Sequence, residues 1–506
     1  MPYAERHRWP PDARFDGGDL DCGNGLLLLI RQHIDPLAPG QLLEFTSTEI
    51  SVEADFPAWC RMTGNELVSV TRRDRQRSFL VCKGPLAARH ARPMTQAAAA
   101  VSPRTVVAVH VPTTLPPPRP VAPIPPLAVM GIGSWPRPRW MLAAIHDHLE
   151  GRLSDDDFAS TAEDATRLAV DAQLRAGVDV VTDGEQRRDN YASFIGSRLD
   201  NCQLIPLTDL LPLVDDPAKF EAEMRSLDVP ASQVRHPALF GPLGRSRPLA
   251  VHELQTVRSL TDRPVKVALP GPYLLTRIMW MECISDRAYR SREHLAEDIV
   301  RILREEIHFL LAAGAAIVQL DEPVLSEVVF TGAKNTRSFM CGALSEKGDA
   351  WSELSFATRL INAAVAGLPR ERVALHVCRG NWTRDESAAL SGDYRPMLGV
   401  FQRVDVGMLL LEASTPRAGD IAVLKELPTH VRLGVGVVNQ KREEIEPVAD
   451  VVARARRAID LVGVERVLLT PDCGFATFAD NPVASARVAE AKLRTIAEAA
   501  SELRKD

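Results

Sequence analysis

From Met130 onward, short apolar stretches alternate with longer runs whose apolar residues recur every three or four positions. The short stretches end at Gly133-Ser134, Asp183-Gly184-Glu185, Pro270-Gly271-Pro272, Asp321-Glu322-Pro323, His376-Val377-Cys378, Glu412, Gly436-Val437-Val438 and Asp472-Cys473-Gly474. Between them, runs such as "SREHLAEDIVRILREEIHFLLAAGA" keep helical spacing. Alternation this sustained predicts an α/β fold with a parallel sheet, and the repeat count suits a closed (β/α)8 TIM barrel; a doubly wound open sheet is the alternative. Polar residues gather where the strands finish, the face on which barrel active sites are built. The stretch from Leu204 to Val251 interrupts the alternation and is expected to run over one side.

Before Met130 the pattern differs. "GLLLLIRQHIDPLAPGQ" predicts a helix ended by Pro-Gly, and "LLEFTST" a strand. "DFPAWCRMTG" predicts a helix with Pro57 at its start and Gly64 at its end. "ELVSVTRRDRQRSFLVCKG" predicts two strands around a charged turn. Together these make a small α/β two-layer sandwich over residues 14–86. An Ala/Pro-rich linker follows over 87–127 and the barrel over 128–506. The Pro-rich run from Val111 to Gly131 favours polyproline II and reads as a semi-rigid spacer, or as an ordered loop packed on the barrel over its last ten residues.

Composition narrows the function. The chain has 506 residues, 45% hydrophobic and 25% charged, which suits two or three soluble domains. The net charge of −6 is spread along the chain, so neither a nucleic-acid footprint nor a polybasic membrane anchor is expected. Met1 to Asp19 is too polar for a signal peptide, and Leu26 to Ile30 is too short to span a bilayer. Eight scattered cysteines in a chain this large fit a reducing cytoplasm.

The candidate chemistry lies in "ALHVCRGN", "LLLEAS" and "TPDCGF". His376 and Cys378 sit two apart on one strand and so point to one face. Glu412 and Cys473 end two further strands. An imidazole, two thiolates and a carboxylate are zinc ligands, and the sulfur donors argue against magnesium or calcium. A core histidine and cysteine on one strand is the competing reading of His-x-Cys alone.

These stretches belong to a longer set. "MGIGSWPRP", "DVVTDGEQRRDNY", "VKVALPGPY", "IVQLDEPVLSE", "LHVCRGN", "LLLEAS", "LGVGVV" and "LLTPDCGF" together resemble the catalytic barrel of cobalamin-independent methionine synthase, from about Met130 to the C-terminus. The resemblance implies a Zn2+ ion held by His376, Cys378, Glu412 and Cys473. Coordination would deprotonate an incoming thiol, homocysteine above all, with Glu412 as the displaced ligand. It further implies Gly133 and Ser134 on the homocysteine carboxylate, and Glu185 and Asp321 on its ammonium. The alternatives are a loop ion pair of Glu185 with Arg187 or Arg188, and a helix-capping Asp321. Where the family has an Asp and a His after its seventh strand, this chain offers Asn439 and Lys441. Lys441 is a candidate to orient or protonate a leaving group, against the alternative of an exposed turn lysine. The methyl donor is expected to be methyl-folate or a methylated corrinoid protein; Trp280 stands two residues from the family's folate-stacking position, which favours the corrinoid protein, or a different alkyl donor, over folate. Other thiols, such as coenzyme M, are alternative substrates.

The N-terminal segment resembles the TusA/SirA-type sulfurtransferases in element order, in its "LDC" start and in "DFPAWCRMTGNELVS". The resemblance implies a catalytic cysteine at the first helix, where backbone amides would favour a thiolate or persulfide. The matching residue is Cys22, followed by Gly23-Asn24-Gly25 rather than the family's Cys-Pro-x-Pro. An inherited structural cysteine is the alternative. A working Cys22 would imply a persulfide donor protein as partner, with the barrel acting on the product thiol.

Overall fold

The computed structural model describes residues 3–22, 25–90, 106–207, 235–281, 288–331 and 348–505. The N-terminal unit runs β1 (Ala13–Asp16), α1 (Leu26–Ile34), β2 (Leu42–Ser47), α2 (Val52–Met62), β3 (Glu66–Arg73) and β4 (Gln76–Cys82). Its sheet has the order β1-β2-β4-β3, with β1 parallel to β2 and the other pairs antiparallel. Both helices pack on one face, where Phe45 meets the rings of Phe56 and Phe79, each at 4.9 Å. The two-layer sandwich is therefore as expected, with β1 added. The second helix differs: it begins at Val52, so Pro57 lies inside it rather than at its start. Val52 and Phe56, four apart and both fully buried, anchor that extra turn to the core.

Six parallel strands follow in the order β12-β11-β10-β9-β8-β7. They are β7 (Lys266–Pro270), β8 (Ile317–Asp321), β9 (Val373–Val377), β10 (Met408–Leu411), β11 (Arg432–Val438) and β12 (Val467–Pro471). Parallel bridges close the ring: Val129 to Leu469, Met130 to Val180, and Val181 to Val265. The first two barrel strands are thus reduced to single bridges, and the fold is the expected TIM barrel. The excursion after the second strand is an antiparallel pair, β5 (Asp200–Pro206) with β6 (Arg235–Gly244). What lies between its arms is outside the described residues.

Strand parity sorts the barrel residues. Val373, Leu375, Leu409 and Leu411 join the large core shared with the helices. Ile317, Ala374, Met408, Leu410 and Leu468 form a separate plug, floored by Ile124. Continuing that inward parity by two residues reaches Gln319, His376 and Glu412, and Asp321 two further along. The site is therefore built on the rim of a packed plug.

The Pro-rich run is docked rather than a free spacer, and earlier than its last ten residues. Its carbonyls accept from barrel side chains: Pro116 faces His308 at 3.1 Å, Arg119 accepts from Arg372 at 2.6 Å, and Ile124 and Pro125 accept from Arg432 at 2.7 and 2.8 Å. Prolines remove amide donors but leave every carbonyl as an acceptor, so arginines can strap such a segment down. The sandwich touches the barrel's hairpin through Gln203, which donates to Asp35 at 2.7 Å. Among the described residues no helix is long and apolar enough to cross a membrane.

Candidate active site

His376 near the end of β9, Cys378 just beyond it, and Cys473 after β12 place their ligand atoms within 4.8 Å of one another. All three are buried. His376 Nδ1 lies 2.8 Å from Asp321 Oδ1, while its buried Nε2 has no hydrogen-bond partner. A carboxylate can only accept, so Nδ1 carries the proton and Nε2 keeps the lone pair an ion needs. A hydrogen bond from Cys473 holds the Cys378 thiol below its ordinary range, and the same bond, with burial, pushes Cys473 up. An orphaned imidazole nitrogen beside two thiols fits a borderline-soft ion such as zinc.

Glu412, expected as the fourth ligand, stands outside this group. Its Oε1 accepts from the Arg379 amide at 2.7 Å and from the Asn381 side chain, and its Oε2 faces Arg417 at 2.9 Å. A fully buried carboxylate needs a cation, and Arg417, five residues on, supplies it. Lys441 is likewise not the exposed turn lysine of the alternative reading. It is buried, and its Nζ donates to the Asp385 carbonyl at 3.2 Å. Burial and then Arg417 lower its pKa, while Glu412 and Cys473 pull it back.

Three of the four metal candidates and three of the four substrate candidates line one cleft: Ser134, Glu185, Asp321, His376, Cys378 and Cys473. Gly133 borders it, and a Cβ there would collide with Glu185 Oε1, just as one on Gly474 would collide with Ser134 Oγ. Ser134 Oγ also accepts from the Ala476 amide at 3.2 Å. Glu185 adopts φ 54°, the left-handed region that side chains seldom occupy, and Arg137 clamps its carbonyl at 2.6 Å. Burial raises its carboxyl to about 7; Arg188 opposes this, and Asp321 and Asp183 add to it. Glu185 Oε2 has no partner.

The loop ion pair offered as the alternative for Glu185 is not formed. Arg188 instead pairs with Glu253 at 2.5 Å, both side chains being almost wholly buried. Replacing Arg188 by Met would strand the Glu253 charge, so Arg188→Met is expected to cost about 3–5 kcal/mol in urea unfolding. The double variant Arg188→Met/Glu253→Met should recover most of that loss.

Asp321 carries a duty beyond the ammonium role expected of it. Its Oδ1 faces His376 and also accepts from Gln319 Nε2 at 2.7 Å. Lys266, Gln319 and Asn381 were not among the expected site residues. The visible signals were a lysine inside the apolar run "VKVALP" and the polar Gln of "IVQLDEP". Trp280 ends the helix Pro272–Met279 and packs against the large core rather than lining the cleft.

Cys22 lies ahead of α1 in the sandwich. It is buried, and burial, then Asp55 and Asp21, push its thiol up to about 12. Helix α1 starts four residues later, after Gly25 at φ 99°. The thiolate that persulfide chemistry requires is therefore disfavoured. Gly23 and Asn24 lie outside the described residues.

Comparison with known proteins accords with this geometry. The profile of the cobalamin-independent synthase catalytic domain matches residues 127–502. A methionine synthase of Thermococcus kodakarensis is 29% identical over 344 residues, covering 68% of this chain and 85% of that protein. One from Saccharolobus solfataricus is 26% identical over 385 residues, covering 76% and 96%. The solved structure of a B12-independent methionine synthase from Shewanella sp. W3-18-1, bound to selenomethionine, superimposes with a TM-score of 0.56 at 22% identity, over 75% of this chain and 98% of that one.

Proposed function

This chain belongs to the cobalamin-independent synthase catalytic-domain family, and we propose that it is a zinc-dependent methyltransferase converting homocysteine to methionine. The observation that carries this reading is the sharing of one cleft by the His376–Cys378–Cys473 group and by Ser134, Glu185 and Asp321. His376, Cys378 and Cys473 would hold the ion. Zinc there would supply a thiol ionised at neutral pH.

The chain's own side chains do the rest. Glu185 and Asp321 bind the substrate ammonium between two carboxylates, and Ser134 with the Gly133 backbone binds its carboxylate. With the amino-acid end so fixed, the substrate sulfur extends toward the two cysteines. Lys441, within electrostatic reach of Glu412 and Cys473, is placed to meet charge that develops on the donor side. The methyl carbon passes to sulfur, and the donor, methyl-folate or a methylated corrinoid protein, leaves demethylated. Cys378 and Cys473 must stay reduced for this, which fits a cytoplasmic protein. The sandwich over 14–86 and the linker over 87–127, strapped to the barrel from Pro116 to Pro125, accompany a catalytic unit over 128–506.

Glu185 gives the reading a pH signature. Its pKa is raised from 4.5 to about 7, so protonation is favoured in the folded state. Its contribution to stability is fully present below 4.5 and is lost as pH rises through 7. Ammonium binding needs the opposite form, the carboxylate. The KM for homocysteine should therefore climb as pH falls below about 7. Hydrogen bonds to charged groups contribute about 1.5–3 kcal/mol, so Glu185→Gln should raise KM by about 10- to 100-fold and flatten that limb. Steady-state kinetics between pH 6 and 8 (about the range over which this carboxyl changes charge) read both effects. The reading as a whole is tested by supplying zinc-loaded protein with homocysteine and each donor class and following methionine. Methionine from at least one donor is expected; zinc-loaded, folded protein that forms none from either would overturn it.

A further inference from the structure

Lys266 is the one charged residue of β7, and its side chain is fully buried. Its Nζ donates to the Ile132 carbonyl at 2.7 Å and to Gln319 Oε1. Gln319, also fully buried, lies in register with Ala268 on one side and Ala374 on the other. Those small inward neighbours leave room for the long Gln and Lys side chains to meet above the apolar plug. Gln319 Nε2 then donates to Asp321 Oδ1 at 2.7 Å, and Asp321 lies in register with His376 and 2.8 Å from its Nδ1.

The direction of this chain of bonds is not arbitrary. A carboxylate only accepts, so Asp321 must meet the NH2 of the Gln319 amide, and Lys266 Nζ holds that orientation by donating to the amide oxygen on the other side. Asp321, already accepting on Oδ1, presents an acceptor to His376 and holds the proton on Nδ1. Nε2 is left unprotonated and aimed away from Asp321. Were Gln319 to flip, its oxygen would face the carboxylate and repel it.

We infer that Lys266 is a positioning residue for the metal centre, acting through Gln319 and Asp321 to fix the tautomer and orientation of His376. The inference rests on the zinc reading above and adds a residue outside the cleft. A bland alternative exists: Lys266 as a mere countercharge to Asp321 and Glu185, both of which act on it electrostatically. The two roles separate experimentally. Gln319→Leu breaks the relay but leaves the charge, whereas Lys266→Met removes both.

The test measures zinc affinity of the full chain by chelator competition, with thermal unfolding as the control for folding. Outer partners of metal-bound histidines typically govern 10- to 100-fold in affinity, so each variant is expected to weaken zinc by about 10-fold. In an Asp321→Ala background, Gln319→Leu should then have no further effect, because the relay is already cut. In metal-free protein labelled with 15N-histidine, at a pH high enough for the ring to be neutral, His376 should be the Nδ1–H tautomer, and Gln319→Leu should mix in the other. If Gln319→Leu moves the affinity by less than about threefold, or Lys266→Met tightens binding, the positioning role is wrong and the countercharge role stands. Should Lys266→Met fail to fold, Gln319→Leu decides alone. Wild-type protein that binds no zinc would instead refute the metal reading itself.

Discussion

Cys473→Ser is expected to abolish zinc retention and to reduce methyl transfer by about 10³-fold or more. Two losses combine. Without the ion, a thiol of pKa near 8.5 is only about 3% ionised at pH 7, a loss of about 30-fold in nucleophile. A reacting atom no longer held in place loses about another 10²-fold. The fold should survive, because Cys473 lies in the turn after β12 and its replacement is nearly isosteric. Metal analysis by mass spectrometry, with circular dichroism alongside, reads the result. Retention of one zinc per chain by the folded variant would show that the ligand group is elsewhere.

Asp321→Ala should produce the next largest effect, and a composite one. Loss of the 2.8 Å contact frees the His376 ring, which should lower zinc affinity by about 10- to 100-fold. Loss of one of the two carboxylates of the proposed ammonium site should raise the homocysteine KM even when zinc is saturating. Measuring KM across a zinc titration separates the two parts. A purely structural aspartate would show neither at full zinc occupancy.

Much of this site could be read along the chain because barrel strands present alternate residues to one face. His376 and Cys378 share parity, and Asp321, Glu185 and Ser134 stand where strands end, so position along a strand predicted position in space. Glu412 shares that parity too, yet its carboxylate is claimed by Arg417, Asn381 and the Arg379 amide. Parity says which way a side chain points, not which neighbour satisfies it. Lys266 and Gln319 stand out as polar residues in apolar runs, but their connection to Asp321 does not, since it joins adjacent strands through a register that spacing alone does not specify. The docked Pro-rich segment shows the limit of composition: prolines predicted the extended backbone, while distant arginines decided where it lies. Cys22 is the plainest case. Its place before a helix suggests a lowered thiol pKa, whereas burial, then Asp55 and Asp21, push it up.

The central claim, a thiol ionised in this cleft at a pH where it is otherwise protonated, is tested most directly by counting protons. Homocysteine binding to zinc-loaded protein is measured by calorimetry at pH 8, where Glu185 is already charged, in buffers of different ionisation enthalpy. Methionine, which has no thiol, serves as the reference. A thiol of pKa near 8.5 is about three quarters protonated at pH 8, so homocysteine should release about 0.75 proton more than methionine. Equal proton release by the two ligands, with homocysteine bound and zinc in place, would contradict the account.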